Sequence, residues 1–486
     1  MGALVAAVNK KGGSSVPTAV TMLKELVHRG VDAHGVATPN SVAIAKSVEG
    51  LAIENMNSHI VLGHNLSRFC TRDRPQPVLA EDFALIFEGR LFPSPNLSEV
   101  ERVVEMLENA PHRNAEKIVE KLEGSYVFAI AFADMLIAGR DTIGLNPLYY
   151  GENETTYALA SERKALWAIG VDNPRSFPPG NVMVASERGF SFKPVRTLTK
   201  PSPETINMEI ATKRLKNLLQ KSTEKRVSDL NKVAVAFSGG LDSSVITVLA
   251  QKCGVDVHLF SVGLENQSEA QFAETAADAL GLPLHLQKYT IDDVRSILSK
   301  VLWLIEEPSV IKIGIAIPLY WVAENSSKLG FKVLLTGLGG DELFGGYQKY
   351  LREYERYGAA AVRNALYDDV AESYEANFQR DNQVCSLHKV ELRLPFMDQD
   401  VVNFGLGLPI DLKITSAEDS LRKRVLRATA QKLGVPSFIA RRAKKAIQYA
   451  TGVNKAIRRL AKEKGLNSHG YVRQIFRRIY PEVRAR

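Results

Sequence analysis

The sequence predicts an α/β chain in two parts, a mostly antiparallel α+β sandwich followed by a parallel α/β domain. Three observations carry this expectation. Residues 1–190 hold short apolar runs separated by turn residues. From residue 232 onward, apolar β-branched runs alternate with segments of helical spacing, the rhythm of a parallel sheet. Between the two parts, Thr197–Glu204 sets two prolines among polar residues, as a linker does. The expected boundaries are 1–196 for the first domain, 197–206 for the linker, 207–453 for the second domain and 454–486 for a basic tail.

In the first part, Ala3–Val8, His59–Gly63, Phe83–Phe87, Tyr126–Phe132 and Met135–Ala138 read as strands. Pro17–His28 and Glu99–Asn109 carry apolar residues at helical spacing. The second part opens with an amphipathic helix, Asn207–Lys221. Strands follow at Val233–Phe237, Val255–Val262 and Lys332–Leu335, with helices at Glu269–Leu280 and Ala316–Ser327. Ligands are expected at the carboxyl ends of those parallel strands.

A chain of 486 residues suits two or three domains. Hydrophobic residues at 45% and charged residues at 24% describe a globular protein. No run of about 18 apolar residues appears, so no membrane span is expected. The N-terminus lacks a charged-then-apolar signal region. Gly2 is no myristoylation site, because position 6 is Ala. Cys70, Cys253 and Cys385 form neither a disulfide framework nor a zinc pattern. A cytoplasmic protein is the expectation. Residues 454–486 hold ten Lys and Arg against Glu463 and Glu482, which accounts for the entire net charge of +8. A solvated helical face is favoured there over a nucleic-acid contact, since Tyr471, Phe476 and Tyr480 are the segment's few aromatics.

Chemistry concentrates in KVAVAFSGGLDSSVITVLA, Lys232–Ala250. A buried strand runs into the turn Ser238–Gly240, and Asp242, Ser243 and Ser244 then open a helix. Free amides at such a helix start, together with its dipole, suit an anion. No Gly-Lys-Ser/Thr follows, so this is not a Walker loop. The run SGGLDSS resembles instead the pyrophosphate loop of ATP pyrophosphatases, which split ATP to AMP and pyrophosphate while adenylating a substrate.

A wider resemblance follows. HRGVDAHG (His28–Gly35), QPVL (Gln76–Leu79), LEGSYVFAIAFAD (Leu122–Asp134), GRDTIGLNPLYYG (Gly139–Gly151), ALASERKAL (Ala158–Leu166) and FPPG (Phe177–Gly180) resemble the glutaminase domain of asparagine synthetases. LLTGLGGDELFGGY (Leu334–Tyr347), FQRDNQVCSLHKVELRLPFMDQDVV (Phe378–Val402) and KRVLRATAQKLGVPSFIARRAKKAIQYATGV (Lys423–Val453) are similar to their synthetase domain. The resemblance implies an Ntn-hydrolase-like sandwich followed by an adenine-nucleotide α-hydrolase-like domain. It implies ATP and Mg2+ as cofactors. Ser238 and the amides of Gly239 and Gly240 would hold pyrophosphate, Asp242, Ser243, Ser244 and Gly339 would also belong to the nucleotide site, and the backbone of Val262 would meet adenine. Asp242 and Asp341 would hold magnesium, since hard oxygen ligands suit it. Lys444 would be the catalytic lysine, a cation beside the reacting phosphorus and carbonyl. Glu391 and Arg393 read as an internal ion pair that shapes the site.

The chain also departs from that family. Its glutaminase domains begin Met-Cys-Gly, where the exposed Cys is the nucleophile; this sequence begins Met1-Gly2-Ala3. The oxyanion-building Asn-Gly-Glu is Glu88-Gly89-Arg90, and the Arg before the Leu-Ser pair is Asn65. Cys70 has no adjacent α-amine and is no substitute. In the synthetase domain, the Glu of Gly-Glu-Gly-x-Asp is Leu338, which does no acid–base work. A Thr-Thr-x-Arg run has become Ile311-Lys312-Ile313-Gly314.

The leading expectation is therefore an AMP-forming amide ligase that adenylates a small carboxylate, aspartate by default, and transfers ammonia, with an inactive glutaminase domain. A partner glutaminase and a homodimer are compatible with it. A second reading keeps adenylation with another acceptor, as in β-lactam synthetases or RNA-modifying enzymes. A third is a binding or regulatory pseudoenzyme. A loop at Glu342–Tyr347 closing over the site is expected, because an acyl-adenylate needs protection from water.

Overall fold

The computed structural model describes residues 2–94, 97–107, 110–265, 268–443 and 447–483. The chain divides into two compact units, Met1–Leu198 and Thr199–Arg486.

Strand Ala3–Asn9 shows how the first unit is built. Leu4, Ala6 and Val8 enter one apolar cluster with Ile86, Val127 and Ala129. Ala3 and Val5 enter another with Met22 and Leu23 of helix Val16–Glu25. Alternate side chains thus pack against a second sheet and against a helix, so both faces of the strand are buried. Its sheet runs 175–176, 149–152, 156–160, 3–9, 60–66, 33–38, 41–45, all antiparallel among the described residues. The facing sheet runs 189–194, 181–186, 136–140, 124–131, 84–91, 78–79. Its outer face, with Leu85, Phe87, Phe128 and Ile130, is covered by helices Glu99–Leu107 and Pro111–Lys121. The sandwich expected from the sequence is present. The expected strands end slightly differently, at Ile60–Leu66, Ala84–Leu91, Gly124–Ala131 and Leu136–Arg140.

The second unit is organised by a parallel sheet in the order 284–289, 256–264, 232–236, 333–335, 391–393. In chain order the path moves one way from the 232–236 strand, then returns to its other side with 333–335. The crevice between these two strands is the topological switch point, where open α/β sheets bind ligands. The register pairs Ala234 with Leu334 and Val235 with Leu335. Both strands therefore deliver their following turns, Ser238–Gly240 and Gly337–Gly340, to the same edge.

Two segments differ from expectation. Gly340–Phe344 is a helical turn rather than an open loop, because Leu343 and Phe344 are wholly buried and anchor it. The basic segment from residue 454, set apart as a tail with a solvated helical face, shows that face on helices Val453–Glu463 and Ser468–Ile479 but packs their other side into the unit. Their apolar faces, with Ala456, Ile457, Leu460, Val472 and Phe476, are buried, while Lys455, Arg458, Arg459, Arg473, Arg477 and Arg478 are exposed. Among the described residues no helix is long and apolar enough to cross a membrane.

Candidate functional site

The first turn owes its shape to Gly239, whose φ of +68° lies in the left-handed region. Ser238 Oγ accepts from the Gly240 amide at 3.3 Å and lies 3.3 Å from Ser243 Oγ, so the turn is braced by the side chains expected at a phosphate. Helix Leu241–Lys252 starts immediately after, with Asp242 in its first turn. Ser244 is fully buried, and its hydroxyl has no hydrogen-bond partner among the described residues. Val262 is half-buried in the carboxyl half of the adjacent 256–264 strand.

The second turn packs directly on Asp242. A Cβ on Gly337 would lie 2.7 Å from Asp242 Cβ, and one on Gly340 would lie 2.9 Å from its Cγ. Gly339 needs φ +95° and would strike Met397 Sδ at 2.4 Å if it carried a Cβ. Glycine at these positions brings the backbone to the aspartate. Leu338 is half-buried, and its amide donates to Thr336 Oγ1. Asp341 follows in the short helix, 7% exposed.

The two aspartates meet at a residue the sequence reading did not single out. Lys423 Nζ lies 2.5 Å from Asp242 Oδ2 and 2.6 Å from Asp341 Oδ1, and its side chain is 3% exposed. Lys423 and its neighbour Arg422 both take left-handed backbone, at φ +52° and +51°, which is costly for non-glycine residues. Arg427 stabilises this turn by donating from Nε to the carbonyls of Leu421 and Arg422. Its Nη1 reaches the carbonyls of Ala440 and Arg442, at 2.6 and 2.9 Å. Arg442 pairs in turn with Glu269. The segment leading to residue 444 is thus pinned, while Lys444 itself lies outside the described residues. The signal for Lys423 was absent locally, since its partner Asp242 is 181 residues away in sequence.

Asp242 Oδ1 is buried with no hydrogen-bond partner among the described residues. A hard divalent cation suits such an oxygen, beside a second carboxylate and a phosphate-shaped turn. The donors present therefore fit magnesium.

Around this centre, Glu391 and Arg393 form the expected internal pair at 2.6 Å. Arg393 also binds Asp229 and the Arg226 carbonyl. Lys312 is held by Glu307 at 2.5 Å and by the Glu375 carbonyl at 3.2 Å. Tyr347 donates to Glu342 at 2.7 Å, and burial, with Glu342 and Asp341 nearby, pushes its phenol well above the usual range.

In the first unit, a Cβ at Gly2 would lie 1.9 Å from the Asn65 carbonyl oxygen. The Gly2 amide donates to Glu88, which also contacts His64. Asn65 is buried against His34 and the Leu23 carbonyl. Arg90 is paired with Asp73 and Glu99, and Cys70 Sγ donates to the same Asp73.

The family profile described as asparagine synthase matches residues 214–360 and 355–485. That of a glutamine amidotransferase domain matches 71–168. A Methanocaldococcus jannaschii protein provisionally named asparagine synthetase 1 (glutamine-hydrolyzing) is 31% identical, over 93% of this chain and 94% of its own. Asparagine synthetase 2 of Arabidopsis thaliana is 26% identical over 66% of this chain and 57% of its own. An asparagine synthetase (glutamine-hydrolyzing) of Triphysaria versicolor is 27% identical over 64% of this chain and 55% of its own.

Proposed function

Because the chain belongs to the asparagine synthetase family, we propose that it is an ATP-dependent, AMP-forming carbon–nitrogen ligase. Its substrates are a small carboxylate, aspartate by default, and ammonia. The observation that carries this reading is the meeting of two glycine turns at the switch point, with Asp242 and Asp341 sharing the Lys423 ammonium.

The Ser238–Gly240 turn and the start of helix 241–252 bind the β- and γ-phosphates, and Val262 borders adenine. Asp242 and Asp341 hold Mg2+, which when bound offsets the charge of the departing pyrophosphate. The substrate carboxylate attacks the α-phosphorus, the bond to the bridging oxygen of pyrophosphate breaks, and an acyl-adenylate forms. Ammonia then attacks the acyl carbon, AMP leaves and a proton is released. Lys423, and Lys444 by resemblance, supply positive charge where negative charge builds at the reacting phosphorus and carbonyl. Replacement of Asp341 by Asn is expected to abolish AMP formation; unchanged AMP formation would remove Asp341 from the mechanism.

The glutaminase half is inactive on this reading. Gly2 has no room for a side chain, and Arg90 is held by two carboxylates where the family's Glu would serve glutamine. Ammonia then comes free from solution or from a partner glutaminase. A different acceptor is the second reading, favoured by the neutralisation of Lys312 by Glu307. Product analysis with a panel of carboxylates separates the two.

A further inference from the structure

Lys423 is confined. Its stem lies against Gly346, where a Cβ would come within 2.3 Å of Lys423 Cε and 1.8 Å of Asp341 Oδ1. Its backbone is fixed in the left-handed turn that Arg427 clamps, and the Lys423 carbonyl accepts from the Arg427 amide at 2.9 Å. The ammonium therefore cannot swing freely into solvent. Of its three N–H donors, two face the carboxylates proposed as metal ligands.

An ammonium and a divalent ion cannot both sit at full contact with those oxygens, because like charges within a few ångströms repel strongly in a dry site. We propose that the Lys423 ammonium competes with the divalent ion for Asp242 and Asp341. Metal is then taken up only together with the nucleotide, whose phosphates receive the displaced ammonium. The inference rests on the ligase reading above and adds an order of assembly to it. Metal without nucleotide is disfavoured because the lysine would be left buried without its counter-charges. Nucleotide arriving with metal supplies new ones. The device keeps the two aspartates paired between turnovers and ties metal entry to substrate entry.

The test uses Mn2+ as the probe, with free Mn2+ read by electron paramagnetic resonance on the full chain, so no turnover is needed. In wild type without nucleotide, binding at this centre is expected to be weak. Lys423→Met removes the competing cation and leaves two carboxylates, so Mn2+ should bind at least about tenfold more tightly without nucleotide. Lys423→Arg keeps the charge and should show no such gain. The double variant Lys423→Met, Asp341→Asn should lose the gain, which locates the ion. Adding a non-hydrolysable ATP analogue to wild type should raise Mn2+ affinity at least about tenfold over the Asp341→Asn protein, which retains the nucleotide's own affinity for metal. Wild type binding Mn2+ equally well with and without the analogue overturns the inference, even if Lys423→Met does not fold. So does a folded Lys423→Met protein that gains nothing. If no protein binds Mn2+ beyond what the analogue alone takes up, the ligase reading falls as well, and the two failures remain distinguishable.

Discussion

Gly346→Ala tests the geometry of the centre with a single methyl group. Gly346 does not need a left-handed φ, so alanine brings no backbone strain and the effect is steric. The added Cβ would stand 1.8 Å from Asp341 Oδ1 and 2.3 Å from Lys423 Cε. Ordinary contact begins near 3.4 Å, so the carboxylate has to withdraw by roughly 1.5 Å and the lysine stem by about 1 Å. Neither can yield cheaply. Asp341 sits in a helical turn whose carbonyl accepts from the Gly345 and Gly346 amides at 3.0 and 2.8 Å, and Lys423 is fixed by Arg427. Overpacking of this kind costs about 1–3 kcal/mol, and at about 2–4 °C per kcal/mol the melting temperature should fall by several degrees. A displacement near 1 Å at the reacting centre costs about 100-fold in rate, so pyrophosphate release should fall by at least about that factor while the protein stays folded. Circular dichroism melting and a coupled pyrophosphate assay read the two effects separately. A Gly346→Ala protein with wild-type kcat/KM would refute the claim that the Asp341–Lys423 contact belongs to the working site.

Gly2→Cys should not create glutaminase activity, because its Cβ would lie 1.9 Å from the Asn65 carbonyl oxygen; glutamate release above background would contradict this. Glu162 is buried, which favours its neutral form, but Lys164, His28 and Arg29 outweigh this and hold its carboxyl well below the usual value of 4.5. A depressed carboxyl contributes stability that is present above 4.5 and lost as pH falls through its lower folded value. Glu162→Gln should therefore cost about 3–5 kcal/mol at neutral pH, a gap that narrows in acid melts below pH 4.5. Burial, helped by Arg363, pushes the Lys413 ammonium down to about 7. The unfolded chain then binds more protons between about pH 7 and the ordinary value of 10.5, so stability gained from this group rises with pH across that window. In Lys413→Met that rise should vanish, as urea unfolding at pH 7 and 9.5 would show.

Much of the candidate site was legible because its signals are local. SGGLDSS and GLGGD each hold their turn glycines and helix-starting residues within a few positions, and both turns came to the same crevice. Elsewhere the decisive contacts are distant. Strand Ala33–Thr38 is buried throughout and mixes His34 and Thr38 with Ala, Gly and Val, so it shows no alternation to read, and its pairing with residues 60–66 sets its place. Helix Pro111–Lys121 is rich in charge, and only Ala115, Ile118 and Val119 mark its apolar face. Helix Val310–Lys328 begins six residues earlier than its apolar periodicity suggests, because Ser309 caps it by accepting from the Lys312 amide. Lys423 was hidden for a further reason. Its left-handed backbone and its carboxylate partners depend on contacts made only in the folded unit, and nothing beside it in sequence distinguishes it from a solvated lysine. The helical turn at Gly340–Phe344, by contrast, carried its signal in Leu343 and Phe344, two apolar residues unsuited to an exposed loop.

The most direct measurement is product analysis with ATP, Mg2+ and aspartate, comparing ammonium chloride with glutamine as nitrogen source. AMP and pyrophosphate are expected in equal amounts, with asparagine formed from ammonium and neither asparagine nor glutamate from glutamine. ADP and phosphate as products, or nucleotide left uncleaved with every carboxylate tried, would contradict the ligase reading.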